Sequence, residues 1–279
     1  MITSLDIGYN GRLGNQLFQY AILKSISIKT GYQIALPLDL FERSWHGQKC
    51  ILNSFKLPSC TFINTNFEYL YEELDARYYD TDIYNVPDNT NFNGFFQNPN
   101  YYVNIKDKLR DEFEIKDDIK SKIYKILSKY KNTTVSLHFR RGDLSDGTNP
   151  IDTDWSNNFS NGSILYNYYN SALSIIPTNS TIFLFTGGSR DKKTNSNDID
   201  WCISNFNDTR IICIDELNDI ETFTLMTMCD YNITSFSSTF SWWASFLNKN
   251  ENVIAPKIYY PSQPSVIPDL VYPKNWTLL

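Results

Sequence analysis

The sequence is poor in metal-binding side chains. Its 279 residues include only two histidines, His46 and His138, and the five cysteines form no Cys-x-x-Cys pair. A structural zinc site takes four cysteine or histidine ligands, which usually come in closely spaced pairs. The sequence therefore predicts no zinc site, and it predicts that the cysteines are reduced, buried thiols of a cytosolic protein.

An excess of positive charge and a long apolar run are also missing. Lysine and arginine number 25 against 31 acidic residues, a net charge of −6, whereas nucleic-acid-binding proteins carry a basic field. The opening residues, MITSLDI, are too short and too polar for a signal peptide or a membrane span. We therefore predict a cytoplasmic protein with no nucleic-acid partner and no stable membrane insertion.

Strand and helix patterns alternate along the chain, and hydrophobic residues, at 42%, suffice for a folded core. The predicted strands cover residues 2–8, 33–36, 133–138, 181–185, 210–214, 233 and 253–255. The predicted helices cover residues 15–30, 117–130, 163–176, 198–206, 219–228 and 239–248. Such alternation is typical of α/β proteins with covered parallel sheets. Because it restarts near residue 132, we predict two domains, residues 1–131 and 132–279, with a cleft between them.

The most informative segment is residues 138–143 (HFRRGD), which ends the predicted strand 133–138. In open α/β sheets, ligands bind at the carboxyl edge, where this segment lies. Arg140 and Arg141 place two fixed positive charges there, and a guanidinium fork matches two phosphate oxygens at once. The pair predicts a diphosphate site. The alternative is a surface loop whose arginines pair with nearby carboxylates.

Two further segments lie between a predicted strand and a predicted helix. In residues 8–16 (GYNGRLGNQ), Gly11 and Gly14 let backbone N–H groups approach a ligand, although neither the Walker A loop nor the GxGxxG spacing is present. In residues 236–243 (FSSTFSWW), Ser237, Ser238 and Thr239 offer donors to an anion at a helix start. The alternatives are a simple turn and a helix cap followed by core tryptophans.

Three Asp-x-Asp segments, at residues 80–82, 152–154 and 198–200, have a pattern that can hold a divalent metal. A metal–diphosphate site would need that pattern directly after an apolar strand, and none of the three has this position. We interpret them as solvated loops and helix caps, and we predict no metal site.

Four segments, in this order along the chain, closely resemble glycosyltransferase family 11, the alpha-1,2-fucosyltransferases. They are residues 11–21 (GRLGNQLFQYA), 94–97 (GFFQ), 138–143 (HFRRGD) and 225–244 (LMTMCDYNITSFSSTFSWWA). The likeness runs from the first predicted strand to residue 257, nearly the whole chain. The HFRRGD segment is also similar to that of alpha-1,6- and protein-O-fucosyltransferases, so it marks a GDP-fucose site rather than a linkage.

The resemblance implies a GT-B-like fold, with two Rossmann-like domains whose parallel sheets face a cleft. It implies an inverting transfer of L-fucose from GDP-beta-L-fucose to an oligosaccharide acceptor, with no metal or other cofactor. The family expectation for the acceptor is the 2-hydroxyl of a terminal beta-galactoside. The donor would lie mainly in residues 132–279 and the acceptor in residues 1–131. Such a protein would act in a bacterial cell or a virus-infected host cell.

Roles for single residues follow from the same resemblance. Arg140 would grip the β-phosphate, Asp143 would brace the nucleotide pocket, and Asn15 would lie near the reacting sugar; these are the candidate catalytic residues. The candidate donor-binding residues are His138, Arg140, Arg141, Glu221, Ser237, Ser238, Thr239, Gly11 and Gly14.

The chain departs from the family at one position. Thr222 stands where the family usually has an aspartate that would read the guanine edge, and Glu221 beside it is the candidate substitute. The base that takes the acceptor proton stays open between Asp143, the first candidate, and Glu221. Because of Thr222, a non-catalytic nucleotide- or carbohydrate-binding protein with the same fold is the alternative function.

Overall fold

The computed structural model describes residues 1–64, 66–145, 156–187, 192–214, 216–263 and 266–279, with only the backbone of residues 192–196. The chain divides into two compact units. The first comprises Met1–Asp117 and Asp269–Lys274, and the second comprises Asp118–Pro268 and Asn275–Leu279.

The units part at Asp117 and Asp118, whereas the sequence pattern places a domain boundary between residues 131 and 132. The difference is one helix, Asp117–Leu127, most of which groups with the second unit. There its Lys122 forms an ion pair with Glu221, with 2.8 Å between Nζ and Oε1. The ranges 1–131 and 132–279 stay a prediction for the functional domains.

The first unit is built on short strands and a long, largely buried helix. Its strands are β1 (Ile34–Pro37), β2 (Ser44–Trp45), β3 (Gln48–Lys49), β4 (Cys60–Ile63), β5 (Tyr69–Glu72) and β6 (Thr90–Asn93). Its helices are α1 (Leu13–Thr30) and α2 (Lys106–Glu112). The pairs β1–β4 and β5–β6 are parallel, and β2–β3 is an antiparallel hairpin.

Ile2 and Thr3 join the two parallel pairs. Ile2 bridges to Ile34 of β1, and Thr3 bridges to Asn91 of β6, both in the parallel sense. The parallel elements therefore run side by side in the order β4, β1, residues 2–3, β6, β5. This order brings the carboxyl ends of all five elements to one edge.

The predicted strand over residues 2–8 is wrong beyond Thr3, because the chain turns from residue 5 onward. Arg43 explains the turn. Its Nη1 donates to the carbonyl oxygens of Leu5 (2.6 Å) and Ile7 (3.0 Å), which a continuing strand would offer to its neighbours. A buried guanidinium from a distant segment is invisible to a local apolar pattern.

The second unit contains one six-stranded parallel sheet among the described residues. Its helices are α3 (Asp117–Leu127), α4 (Ile164–Ile175), α5 (Lys192–Asn205), α6 (Asp219–Met228) and α7 (Thr239–Leu247). Its strands are β7 (Thr133–Arg140), β8 (Ser180–Gly187), β9 (Ile211–Cys213), β10 (Tyr231–Ile233), β11 (Val253–Ala255) and β12 (Thr277–Leu278). Their order is β12-β11-β10-β7-β8-β9.

The centre of this sheet is its most buried part. Leu137 and Phe139 of β7 are at most 1% exposed and pack with Tyr169 of α4 and Ile182 of β8. Parallel pairing of β7 with both β8 and β10 confirms the predicted α/β class with parallel sheets. It also fixes which loops meet at the carboxyl edge of β7.

The structure bears on two expectations from the sequence, which concern the cysteines and membrane insertion. All five cysteines are free, and Cys50, Cys202 and Cys229 are buried, whereas Cys60 and Cys213 are partly exposed. Burial raises the pKa of the Cys50 thiol to about 11. In the described ranges, no helix has both the length and the apolar character needed to cross a bilayer.

Candidate active site

The carboxyl end of β7 and the loop from β10 to α7 lie side by side. The register that pairs Ile233 with Leu137 carries the chain after β10 past the end of β7. The backbone N–H of Arg140 donates to Ser235 Oγ at 2.8 Å. The hydroxyl of Tyr169 lies 2.9 Å from the carbonyl oxygen of His138 and 3.1 Å from the same Ser235 Oγ. Two motifs far apart in sequence thus form one site.

Arg140 is oriented by the protein and still reachable. Its Nη2 donates to both carboxylate oxygens of Asp143 at 3.1 and 3.0 Å, and its Nη1 donates to the carbonyl oxygen of Ser237. Its side chain keeps 24% of its surface exposed. The Nε–H of Arg140 has no acceptor among the described residues. Asp143 and Ser237 therefore hold a guanidinium that retains capacity for an anionic ligand.

Arg141 is placed in the opposite way. It is 5% exposed, its Nε donates to Asp198 Oδ1 at 2.8 Å, and its Nη2 donates to Asn157 Oδ1 at 3.0 Å. Its Nη1 donates to the carbonyl oxygen of Ser156 at 3.2 Å, and the guanidinium lies 3.8 Å from the ring centre of Trp201. Every guanidinium nitrogen of Arg141 thus already donates within the protein.

The Asp-x-Asp segments have different environments. The interpretation of residues 198–200 as a solvated loop or helix cap is wrong for Asp198, which lies within α5 and is 3% exposed. Its carboxylate pairs with Arg141 and accepts from the Gly142 N–H at 2.7 Å. Asp80 caps a short helix by accepting from the Asp82 N–H at 2.8 Å, as predicted. Residues 152–154 lie outside the described residues. No cluster of three or more His, Cys, Asp or Glu suited to a metal occurs in the described ranges.

The three hydroxyl residues at the start of α7, Ser237, Ser238 and Thr239, have different contacts. Ser237 has a φ of +48°, and its hydroxyl donates to the carbonyl oxygen of Tyr259 at 3.1 Å. Ser238 is the N-cap, and its Oγ accepts from the Ser241 N–H at 3.2 Å. Thr239 begins the helix and is half-buried. The Ser238 cap takes the N–H of Ser241, whereas the N–H groups of Thr239 and Phe240 have no partner inside the helix, and such a helix start favours an anion.

His138 ends the buried part of β7 and is 8% exposed. Burial, aided by the positive charge of Arg140, lowers the pKa of its imidazole to about 3, so the ring is neutral at physiological pH. Its Nδ1 is buried and has no hydrogen-bond partner in the part of the chain that the structure describes. His138 therefore borders the site as an uncharged ring.

Glu221 has both carboxylate oxygens engaged. It forms a reciprocal capping box with Asn218 at the start of α6, with Oε2 accepting from the Asn218 N–H at 3.1 Å. Its Oε1 accepts from Lys122 Nζ at 2.8 Å. Burial opposes ionisation of this carboxyl, but the hydrogen bonds from Lys122 and the Asn218 N–H, together with the Lys122 charge, outweigh it and lower the pKa of Glu221. Each oxygen of Glu221 thus already accepts a hydrogen bond within the protein.

In the first unit, the loop before α1 is shaped around Asn15. Gly11 has a φ of +93°, and a Cβ at that position would lie 2.4 Å from Asn15 Cβ. Any residue larger than glycine would therefore displace Asn15. Gly14 is different: it lies in the first turn of α1 and is buried. The glycine at position 11 makes room for a polar side chain, and this agrees with a site more than with a simple turn.

The predicted segments at residues 11–21 and 94–97 meet at the same sheet edge. Gln97 Nε2 donates to Asn15 Oδ1 at 3.3 Å. Gln19 Nε2 donates to the carbonyl oxygen of Asn10 at 3.2 Å and to that of Gly94 at 3.4 Å. The side-chain amides thus tie the loop after β6 to the loop before α1.

Glu73 is a residue of this edge that the sequence analysis missed. It follows β5, and its Oε2 accepts from the Phe95 and Phe96 N–H groups at 2.7 and 2.8 Å. Its Oε1 is buried and has no hydrogen-bond partner among the described residues. Burial raises the pKa of this carboxyl to about 6 although the two backbone hydrogen bonds lower it. Nothing in its local sequence, YEELD, separates Glu73 from neighbouring acids.

A cavity of about 360 Å³ lies at the same edge, beyond the ends of β1 and β4. Leu38, Asp39 and Asn64 contribute to its lining. Arg43 Nη2 forms an ion pair with Asp39 Oδ1 at 2.8 Å. The cavity thus combines an apolar wall with a carboxylate and an amide, a mixture suited to a hydroxyl-rich ligand.

Comparison with known proteins agrees with these motifs. The sequence profile described as Glycosyl transferase family 11 matches residues 1–279. An alpha-1,2-colitosyltransferase of Escherichia coli is 27% identical, and the match covers 90% of each chain. Galactoside alpha-(1,2)-fucosyltransferase 2 of Rattus norvegicus is 23% identical over 91% of this chain and 70% of its own.

Solved structures share the fold at low sequence identity. POFUT1 in complex with GDP superposes with a TM-score of 0.54 at 10% identity, covering 91% of this chain and 96% of that one. The fucosyltransferase NodZ from Bradyrhizobium gives a TM-score of 0.51 at 12% identity, covering 88% and 90%. The likeness confirms the GT-B-like fold class.

Asp198→Asn is predicted to destabilise the second unit. It removes the charge that faces the buried guanidinium of Arg141, and a broken buried pair costs roughly 3–5 kcal/mol. Denaturant unfolding of the variant gives the free-energy change. Asp200→Asn, at an exposed position two residues away, is the control. Equal stability of both variants would show that Arg141 does not depend on Asp198.

Glu221→Gln is predicted to leave GDP binding unchanged, because both carboxylate oxygens serve the capping box and Lys122. Loss of this surface ion pair should cost less than about 1 kcal/mol of stability. Thr222→Asp, which introduces the residue usual in the family, is expected to sharpen the preference for GDP over ADP. Isothermal titration with both nucleotides measures these effects. Weaker binding of GDP alone to Glu221→Gln would instead make Glu221 the reader of guanine.

Proposed function

The chain belongs to glycosyltransferase family 11, and from that premise we propose that it is an inverting galactoside alpha-1,2-fucosyltransferase. Its donor is GDP-beta-L-fucose, and its acceptor is the 2-hydroxyl of a terminal beta-galactoside in an oligosaccharide. The observation that carries the proposal is the oriented guanidinium of Arg140 beside the helix start at Thr239. The rat relative, a galactoside alpha-(1,2)-fucosyltransferase, supports the linkage.

The chemistry of the donor explains why this arrangement is useful. As the bond between the fucose anomeric carbon and the phosphate oxygen breaks, its electron pair goes to the β-phosphate, while the sugar becomes positively charged. Arg140 and the first N–H groups of α7 meet the growing negative charge. Asp143 and Ser237 already hold Arg140 in place, so little reorganisation is needed, and one such donor is worth about 3–4 kcal/mol.

Donor contacts are proposed for a subset of the predicted residues. Arg140 binds the β-phosphate, and the amides at Thr239 add donors from the helix start. Ser237 and Asp143 act through Arg140, because both accept its hydrogen bonds. His138 borders the nucleotide as a neutral ring, which leaves the positive charge on Arg140.

The acceptor is proposed to contact the first unit. Asn15 and Gln97 present amide groups at the carboxyl edge of its strands, and the cavity lined by Leu38 and Asp39 lies at the same edge. Amides and carboxylates match the hydroxyl groups of a neutral sugar, which donate and accept hydrogen bonds. An apolar wall suits the carbon face of the same ring.

A second donor competes with GDP-fucose. The Escherichia coli relative is an alpha-1,2-colitosyltransferase. Colitose is L-fucose without its 3-hydroxyl, so discrimination depends on one polar contact, and a site that binds a hydroxyl rejects the analogue lacking it. Assay of GDP-fucose against GDP-colitose separates the two. We propose GDP-fucose as the better donor.

The transfer assay that tests the proposal uses GDP-fucose and an array of oligosaccharides with defined termini. The expected product carries alpha-linked fucose on the 2-position of terminal beta-galactose, identified by nuclear magnetic resonance. GDP release should depend on that acceptor. Tight GDP-fucose binding without any turnover would instead support the alternative, a non-catalytic binding protein.

Arg140→Ala is predicted to reduce kcat at least ~100-fold, because removing one pre-oriented charge partner of the transition state costs that much. Arg140→Lys should restore little, since an ammonium cannot reproduce the fork that contacts Asp143 and Ser237. Arg110→Ala, which breaks a similar i,i+3 ion pair in α2, is the matched control. Near-wild-type turnover with either Arg140 variant would place the diphosphate elsewhere.

Activity is predicted to survive chelation of divalent metals, because protein groups meet the phosphate charge. Protein treated with a chelator and then desalted should transfer fucose at the untreated rate. Loss of activity that magnesium or manganese restores would refute the metal-free proposal.

A further inference from the structure

The carboxylate of Glu73, at the end of β5, holds the loop that follows β6. We propose that Glu73 is a positioning residue for fucosyl transfer: by fixing residues 94–97, it fixes the hydrogen bond from Gln97 to Asn15. The inference rests on the proposed function, in which Asn15 contacts the acceptor sugar.

The loop needs an anchor because its backbone is strained. Phe96 has a φ of +53°, in the left-handed region that a bulky aromatic residue rarely adopts. Glu73 Oε2 accepts from the N–H groups of Phe95 and Phe96, which flank that conformation. The backbone N–H of Glu73 in turn donates to the carbonyl oxygen of Asn93 at 2.9 Å. An ionised carboxylate that accepts both amides stabilises the strained turn more strongly than a neutral acceptor does.

Gly94 shows how closely the loop and the carboxylate fit. Its φ is +153°, and a Cβ at this position would lie 2.4 Å from Glu73 Cβ and 2.6 Å from Glu73 Oε2. Only glycine therefore lets the chain pass this side chain. The carbonyl oxygen of Gly94 also accepts from Gln19 Nε2, which links the same turn to α1.

The effect reaches Asn15 through one side chain. Gln97 directly follows the strained turn, and its Nε2 donates to Asn15 Oδ1 at 3.3 Å. Gly11 closes the other side of Asn15, where a Cβ would collide with it. Rotation of the Gly94–Gln97 backbone would withdraw Gln97 and leave Asn15 without this partner.

Charge distinguishes this role from simple packing. The titratable groups that face Glu73 are Tyr71, Tyr101, Tyr102 and Asp75, and no arginine or lysine in the described ranges pairs with it. Its Oε1 is buried, and no described residue forms a hydrogen bond with it. Burial raises the pKa to about 6, so the folded protein favours the protonated carboxyl and ionisation at higher pH lowers stability. The ionised carboxylate therefore lowers the stability of the fold, although the neutral amide oxygen of a glutamine could accept from the same Phe95 and Phe96 N–H groups.

Glu73→Gln separates a positioning role, which needs the charge, from a packing role, which needs only the shape of the side chain. It keeps the shape of the side chain and removes its charge, so the loop that positions Asn15 is held less firmly. We expect kcat to fall roughly 10- to 100-fold, because a small misplacement of a contacting group has a cost of this size. The wild-type rate should decline below pH ~6 as the carboxyl is protonated, and this acid limb should be absent from the variant. The melting temperature at pH 8 should not fall, because a destabilising buried charge is lost. Affinity for GDP should not change, and Glu72→Gln, at the exposed neighbour, is the control.

The inference is overturned if Glu73→Gln keeps wild-type kcat or the same acid limb, or if its melting temperature falls together with its activity. Glu73→Asp gives a second arm: it retains the charge on a shorter stem, and should lower kcat while keeping an acid limb. Amide hydrogen exchange at Phe95 and Phe96 needs no turnover. Protection of these two amides should be weaker in Glu73→Gln than in the wild-type protein. If the wild-type protein transfers no fucose, the proposed function is refuted, and hydrogen exchange still tests whether Glu73 holds the loop.

Discussion

The hydrogen bonds that hold the guanidinium of Arg140 are the interaction on which the proposed site depends. A free arginine at the edge of a sheet has many conformations, and ordering it on the ligand would cost entropy. Here Asp143 and the carbonyl oxygen of Ser237 restrict it before a ligand arrives. That geometry requires β7 and β10 to be parallel neighbours, because only then do the two loops end at one edge.

The two adjacent arginines have the same side chain but differ in burial. Arg140 is partly exposed and held by two acceptors, whereas Arg141 is buried between Asp198, Asn157 and Trp201. The second arginine thereby fixes the backbone that presents the first. Carboxylate pairing, one of the two sequence alternatives, thus applies to both arginines, but only Arg140 keeps exposed surface for the proposed phosphate.

Local patterns predicted the regular elements well and long-range contacts poorly. The helix Asp219–Met228 and the strand Val253–Ala255 have the predicted bounds, because capping signals and apolar runs are local. The strand predicted over residues 2–8 ends early because Arg43 takes its carbonyl groups. Motif order led correctly to the family, since spacing and order along a chain survive where identity is low.

The site was only partly predictable for the same reason. Arg140 and Asn15 stand in recognisable motifs, and the structure brings each into contact with a second motif, Arg140 at Ser237 and Asn15 at Gln97. Glu73 has no such signal, because its importance comes from two amides about twenty residues further on. Glu221 illustrates the opposite case: its proximity to Thr222 suggested base recognition, while its oxygens serve Asn218 and Lys122.

A crystal structure of the protein with bound GDP tests the central claim most directly. The β-phosphate is predicted to lie within hydrogen-bond distance of the Arg140 guanidinium and of the N–H groups that begin α7, with Asp143 still in contact with Arg140. A diphosphate bound at Arg141, at the Gly11 loop or away from β7 would contradict the account.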